Sequence, residues 1–191
     1  MILSTNLIGK NNELEKINES HREALREIAQ DESIWQYFSY SVASDKFDIW
    51  FDKILDKMLE GSQFTYVVKR NADKKIVGCT RYYEIQPENK RLTIGHTFYI
   101  QDMRGTGINT ECKFLLLKNA FENMQMNRVE FTIDARNARS IAATKKIGAT
   151  QEGILRQHII TKDNYVRDTV VLSIIQTEWP NIKTELQVRL R

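Results

Sequence analysis

Cysteine is scarce in this chain, and the two present, Cys79 and Cys112, match no metal-ligand spacing. Each sits in an apolar setting, one in a strand-like run and the other on the stripe of a helix. Two reduced, buried thiols are expected, with no metal site and no disulfide. That fits a reducing, cytoplasmic location. Proline is equally scarce, with only Pro87 and Pro180. No Pro/Gly linker, repeat or low-complexity segment interrupts the 191 residues, so one domain spanning 1–191 is expected. No apolar run approaches the ~20 residues that a membrane helix needs. The opening "MILSTNLIGKNNELEK" lacks the basic and apolar regions of a signal peptide. Charge is not concentrated either. A net +3 is spread among mixed signs, which disfavours nucleic acid as a partner and supports only a local preference for an anion.

What is present is clear periodicity. A short strand is expected near Ser4–Ile8. Asn11 or Asn12 then caps a predicted helix to about Ala29, with Leu14, Ile17, His21, Ala24, Leu25 and Ile28 on its apolar stripe. His21 on that stripe reads better as a satisfied, half-buried histidine than as a ligand. An aromatic loop follows (Trp35, Tyr37, Phe38, Tyr40), then a helix from about Ser44 that Gly61 stops. The period then changes to two. "FTYVVKR", "KIVGCTRYYEI" and "RLTIGHTFYI" read as an antiparallel meander. A helix over about Thr110–Met124, the strand "RVEFTIDA", a short helix capped by Asn137 and ended by Gly148, a hairpin about "TKDN", and a helix begun at Trp179-Pro180 complete the order. The pattern is α/β (α+β) with a mixed sheet, parallel where a helix crosses over.

The chemistry-bearing stretch is "MRGTGINTE", Met103–Glu111, between strand and helix. A helix start exposes unpaired N–H groups and the positive end of the dipole. Glycine there lets a ligand approach the backbone, and Arg104 is expected to add a fixed charge. A steric turn gives the same pattern. A P-loop is excluded because G-x-x-x-x-G-K-[ST] does not occur, and a dinucleotide fingerprint because Thr110 stands where a third glycine is needed.

With "RGTGIN", "RVEFTIDARNARS", "KKIGATQEGILR", "VRDTVVLSI" and the closing "EWP", the chain resembles the GNAT (GCN5-related) N-acetyltransferases, in the RimJ/RimL-like branch of ribosomal-protein N-terminal acetyltransferases. Arg104, Gly107 and Asn109 take the defined positions of the family's [Q/R]-x-x-G-x-[G/A] loop, Asn109 departing from Gly/Ala. The matching pieces run from about Thr80 to the end.

The resemblance implies the acyl-CoA N-acyltransferase fold, a mixed central sheet flanked by helices whose fourth and fifth strands splay. It implies acetyl-CoA as co-substrate, a primary amine as acceptor and direct transfer in a ternary complex. Backbone of Arg104, Gly105, Thr106, Gly107, Ile108 and Asn109 would hold the pyrophosphate. Phe98 and Tyr99 would pair with the pantetheine arm, Asn137 would bond it or serve only as a cap, and Lys145 and Lys146 would meet the 3′-phosphate or stay solvated. Many relatives use a tyrosine seven residues after the asparagine as acid. Thr144 stands there, so Ser140 is the candidate acid, or merely a first-turn helix serine. His96 and Glu84 are candidate bases, a water chain being the alternative; His96 would otherwise face the core with Leu92, Ile94 and Phe98. Trp35, Phe38 and Tyr40 would line the acceptor site or pack between the first helices. Arg156, His158 and Arg167 would contact a substrate carboxylate or acidic side chain, or Arg167 and Asp168 would pair with neighbours. A catalytically weak CoA-sensing protein on the same fold is the alternative function. Homodimers are common in this branch.

Overall fold

The computed structural model describes residues 6–190. Eight strands form one sheet in the order β1-β2-β3-β4-β5-β6-β8-β7. The strands are β1 Leu7–Ile8, β2 Asn12–Lys16, β3 Phe64–Arg70, β4 Ile76–Gln86, β5 Arg91–Tyr99, β6 Arg128–Asp134, β7 Thr150–Ile160 and β8 Val166–Ile175. The helices are α1 Arg22–Ala29, α2 Phe47–Leu59, α3 Ile108–Lys118, α4 Ala138–Lys146 and α5 Trp179–Arg189. All neighbours pair antiparallel except β5 and β6, which α3 links as a parallel pair.

Two cores follow from the two faces of the sheet. Apolar residues of α3 and α5 join Leu92, Ile94, Val129, Phe131 and Leu172 in the larger one. On the other face, α1 and α2 bury Leu25, Phe47, Phe51 and Ile54 against Val67, Cys79 and Phe98. Each fully buried side chain of this size contributes about 1.5–3 kcal/mol. Trp35 is 0 % exposed in the second core, where its indole N–H donates to the Ala29 carbonyl at 2.8 Å.

The N-terminal helix is shorter than its stripe suggests. Asn12–Lys16 is a strand paired with Tyr66–Arg70, and only Arg22–Ala29 is α-helix. Asn18 caps the 3-10 turn Glu19–His21 that leads into it, its side chain accepting from Ser20 N–H while His21 Nδ1 accepts from Asn18 N–H. Tertiary bonds decide the outcome. Glu111 of α3 accepts from Asn12 Nδ2 at 2.6 Å and from Asn11 N–H at 2.9 Å, holding this stretch at the sheet edge. His21 is buried and satisfied, its Nε2 lying 3.3 Å from Glu15. The first strand is present as Leu7–Ile8, while Ser4 and Thr5 of its expected span lie outside the described residues. The helix expected over Thr110–Met124 starts two residues earlier, at Ile108. It widens into a π turn at Asn119–Asn123, next to the point where the Tyr82 hydroxyl donates to the Leu116 carbonyl.

Candidate active site

The site grows from two irregularities in adjacent strands. Opposite Cys79 stands Phe98, but opposite Arg81 stands Gly95, so β5 carries one extra residue between them. That residue is His96, at φ +47°. Further along, β4 carries its own extra residue, Glu84, at φ +49°. Such bulges re-aim side chains. Leu92 and Ile94 face α3, and after the bulge Thr97 and Tyr99 do. His96 and Phe98 therefore point to the α1/α2 face. The alternative placing of His96 with Leu92 and Ile94 is corrected by the bulge.

His96 is packed in a cage of rings. The Tyr40 ring stacks on it at 5.8 Å, Tyr83 meets it edge-on at 4.8 Å, and the Tyr40 hydroxyl lies 2.8 Å from Nδ1. Burial, then the charges of Arg81, Arg167 and Lys57, hold the imidazole well below its ordinary range, so it is neutral at neutral pH. Burial raises the Tyr40 phenol, which stays protonated. The neutral ring can accept from Tyr40 at Nδ1, and in that tautomer Nε2 carries the proton.

Tyr83 connects this cage to the sheet's opening. Its ring crosses β5 directly over Gly95, where a Cβ would lie 2.9 Å from the ring, and its hydroxyl reaches Thr132 of β6 at 2.8 Å. Only glycine permits that crossing. Burial pushes the Tyr83 phenol up to about 12. β5 and β6 pair only through Arg91–Thr93 and Arg128–Glu130, and beyond them the strands part. This is the splay expected of the fourth and fifth strands, which are β5 and β6 here because β2 adds one to the count. Of the two residues expected to offer backbone to the gap, Tyr99 turns towards it. Phe98 does not: Ile100 N–H bonds Val77 O, and strand alternation turns Phe98's groups to β4 as well.

At the end of β5 the chain passes through Gln101–Met103 into the loop. Gly105 (φ +85°) and Gly107 (φ +94°) take left-handed conformations, with nothing within 4 Å of where a Cβ would stand. Conformation, not crowding, requires glycine here. The N–H groups of Gly105 through Asn109 find no carbonyl acceptor among the described residues, and the α3 dipole points its positive end at them, whereas the Arg104 N–H, expected in the same cradle, is spent on Gln101 O at 3.0 Å. Arg104 differs from expectation. Its guanidinium donates to Tyr99 O at 3.1 Å, Ser33 Oγ at 2.9 Å and Asp31 Oδ2 at 2.8 Å. Ser33 first, and Arg104 after it, hold the Asp31 carboxyl below its usual range. The cation is a clamp on the loop, already neutralised, rather than a free charge. Thr106 spends its hydroxyl on Met103 O at 2.9 Å, and Asn109 accepts from Tyr99.

On the far side of the gap, Asn137 caps α4 by accepting from Ser140 N–H at 3.0 Å. Ser140 sits half-buried in that first turn, Thr144 is buried, and Lys145 and Lys146 are exposed.

A cavity of about 710 Å³ opens between α2 and the bulged strands. Tyr40, His96 and Glu84 line it, as do Trp50, Tyr83 and Arg81. Of the aromatic loop only Tyr40 reaches it. Phe38 packs between Trp35, Tyr40 and His96, and Trp35 is core. Arg156 and His158 are exposed on β7, whereas Arg167 is buried with Nε donating to Thr169 at 3.0 Å. Arg81, Tyr83 and Thr132 were missed from the sequence. Their one signal was that Arg81 and Tyr83 share a strand face. Among the described residues no cluster of three His, Cys, Asp or Glu side chains could hold a metal ion, and no helix is long and apolar enough to cross a membrane.

The chain is similar to YdaF of Bacillus subtilis (strain 168), provisionally named a ribosomal N-acetyltransferase: 27 % identity over 111 residues, 58 % of this chain and 60 % of that protein. Among solved structures it is similar to a GCN5-related N-acetyltransferase from Brucella melitensis, with a TM-score of 0.90 and 25 % identity over 98 % of this chain and 86 % of that one. A provisional acetyltransferase from T. thermophilus gives 0.87 and 28 % over the whole of both chains. The family described as "Acetyltransferase (GNAT) domain" matches residues 13–150, so the splayed strands, the N–H cradle and the cavity belong to a chain that is a member of the GNAT acetyltransferase family.

Proposed function

We propose that this acetyltransferase moves the acetyl group of acetyl-CoA onto a primary amine, a protein N-terminal amine or a small-molecule amine, with both substrates bound together. One observation carries the reading: the N–H cradle, the splayed gap and the cavity meet along β5, and Tyr83 borders both of the latter. The residues fit CoA. The N–H groups of Gly105–Asn109 suit a pyrophosphate, with the glycines leaving the approach open. Tyr99 N–H and Asn137 Nδ2 would align the peptide-like arm, and Lys145, exposed on α4, would meet the 3′-phosphate.

Bound acetyl-CoA supplies a thioester whose carbonyl carbon is attacked by the amine nitrogen as the C–S bond breaks. The chain must hold the two in line, which is where most of the rate gain lies. It must also keep the amine neutral. Arg81, Arg167 and Lys57, the cations that depress His96, would depress a bound ammonium in the same way. The amine proton would leave to His96 Nε2 in the other tautomer, whose Nδ1–H donates to the Tyr40 hydroxyl, or through water towards Glu84, and Ser140 would return a proton to the departing sulfur. Thermal melts with CoA and with dephospho-CoA test the binding half, and mass spectrometry of an amine panel tests the transfer. Absence of any shift at saturating CoA would refute the reading. A CoA-sensing protein without turnover is the second reading, favoured by buried Thr144 at the usual acid's position. Any acetylated product excludes it.

A further inference from the structure

Arg81 is 5 % exposed, yet its Nε and Nη2 have no hydrogen-bond partner among the described residues. Its guanidinium lies over the Trp50 ring at 5.7 Å and beside Cys79, a thiol that burial raises to about 11 and that therefore carries no charge to answer it. Among the described residues no carboxylate pairs with it. Leaving a buried guanidinium so poorly satisfied is expensive, and it persists where a ligand completes it. The side chain lines the 710 Å³ cavity. Around the same cavity stand Lys46, Lys53 and Lys57, against Glu84 as the one acidic side chain. The field inside favours an anion and disfavours a polycation.

Distance within the sheet limits the size of that anion's carrier. Arg81 stands directly opposite Gly95, and cross-strand partners sit about 5 Å apart. His96 and the mouth of the β5/β6 gap are the next steps along β5. An anion on Arg81 and an amine at the gap thus fall within one small molecule. Val42, Ile49 and Ile54 supply apolar wall for the rest of it.

We propose that the acceptor is a small amino carboxylate, its carboxylate docked on Arg81 and its amine turned to the gap between β5 and β6. The proposal rests on the acetyl-transfer reading and narrows it to one substrate class. The guanidinium fork takes both carboxylate oxygens, which fixes the amine's reach as well as the ligand's charge.

The test uses the full chain with the common L-amino acids as free carboxylates, the same amino acids as carboxamides, and spermidine, read by thiol release from acetyl-CoA. Carboxylates should exceed their carboxamides by about tenfold or more in kcat/KM. Arg81→Met should bring that ratio close to one, and Arg81→Lys should keep part of it, while the CoA-induced melting shift stays as in wild type. Carboxamides or spermidine accepted as well as carboxylates, a ratio unmoved in Arg81→Met, or peptide N-termini preferred over free amino acids, would each overturn the proposal. If CoA binds but no amine is acetylated, the transfer reading fails by itself. Calorimetric titration of the amino acids into CoA-saturated protein then decides this one: carboxylate binding lost in Arg81→Met sustains it, and no carboxylate binding ends it.

Discussion

Replacing Lys113 by methionine should stabilise this protein at neutral pH. Lys113 lies on α3, 7 % exposed, with its ammonium donating to Thr97 Oγ1 under β5 at 2.8 Å. Burial pushes it from the usual 10.5 down to about 8, with only Cys112 acting against that fall. The Cys112 thiol, itself raised to about 12 by burial, is silent over this range. The folded state therefore releases the lysine proton more readily than the unfolded chain does. Below pH 8 both states are charged, and the fold bears the full cost of burying the cation. Between 8 and 10.5 the unfolded chain binds more protons, so this group's cost fades as pH rises. The difference corresponds to about 3 kcal/mol. Methionine fills similar volume, and the Thr97 hydroxyl keeps Thr80 at 2.7 Å. Urea unfolding of both proteins at pH 7, 9 and 10 isolates the effect, because every other titrating group is shared. Lys113→Met should lead by about 3 kcal/mol at pH 7, and the gap should close towards pH 10. A less stable variant at pH 7, or parallel curves across the range, would show that the ammonium is hydrated or paired, and the reasoning would fall.

Three further outcomes are expected. Gly107→Val forces a β-branched residue to φ +94° and should weaken CoA binding about tenfold or more, whereas Thr106→Ala, losing one bond to Met103 O, should stay within about twofold; calorimetry separates them. Arg104→Ala removes three hydrogen bonds that tie the loop to Tyr99, Ser33 and Asp31, and should cost about 1–3 kcal/mol in thermal melts, with weaker CoA binding. An unchanged melt would mean that the loop holds its shape unaided. His96→Gln should lower kcat about tenfold to a hundredfold with CoA affinity unchanged. Because the wild-type ring is neutral well below pH 6.5, its protonation should not inactivate the enzyme on acidification through that value, and a rate that falls with a midpoint near 6.5 and keeps that midpoint only while His96 is present would contradict the buried, neutral ring.

The middle of the chain was legible from residue pattern alone. "RVEFTID" alternates strictly and "FTYVVKR" is a short apolar run buried on both faces, each bounded by polar turns, and Gly61 and Gly148 stop their helices in left-handed conformations. The amino end misled because two periods coincide there. Leu14 and Ile17 satisfy a helical stripe, yet they enter different cores from an extended chain. What settled it was Glu111, about a hundred residues away, and no local propensity encodes that bond. The loop was readable because glycine spacing before a helix has a backbone meaning. Arg104 was read as a free charge because its partners, Asp31 and Ser33, come from another element. The cavity was the least legible part. Its walls come from α2, β4 and β5, and a bulge leaves no mark in hydrophobic alternation. Trp35, Phe38 and Tyr40 look equivalent in sequence, but only Tyr40 meets the cavity.

The two extra residues in β4 and β5 have opposite effects on the count. Glu84 lengthens one strand by one and His96 lengthens the other, so the ladder leaves its register near Arg81 and regains it by Gln86. The stretch between them behaves as an insert with its own phase inside an otherwise continuous sheet. Losing His96 alone would turn Thr97 to Tyr99 over and drag the glycine loop with them. Losing both residues together would leave a straight ladder and a loop still in place. The face that lines the cavity can thus be exchanged as a paired unit while the glycine loop beyond it keeps its geometry.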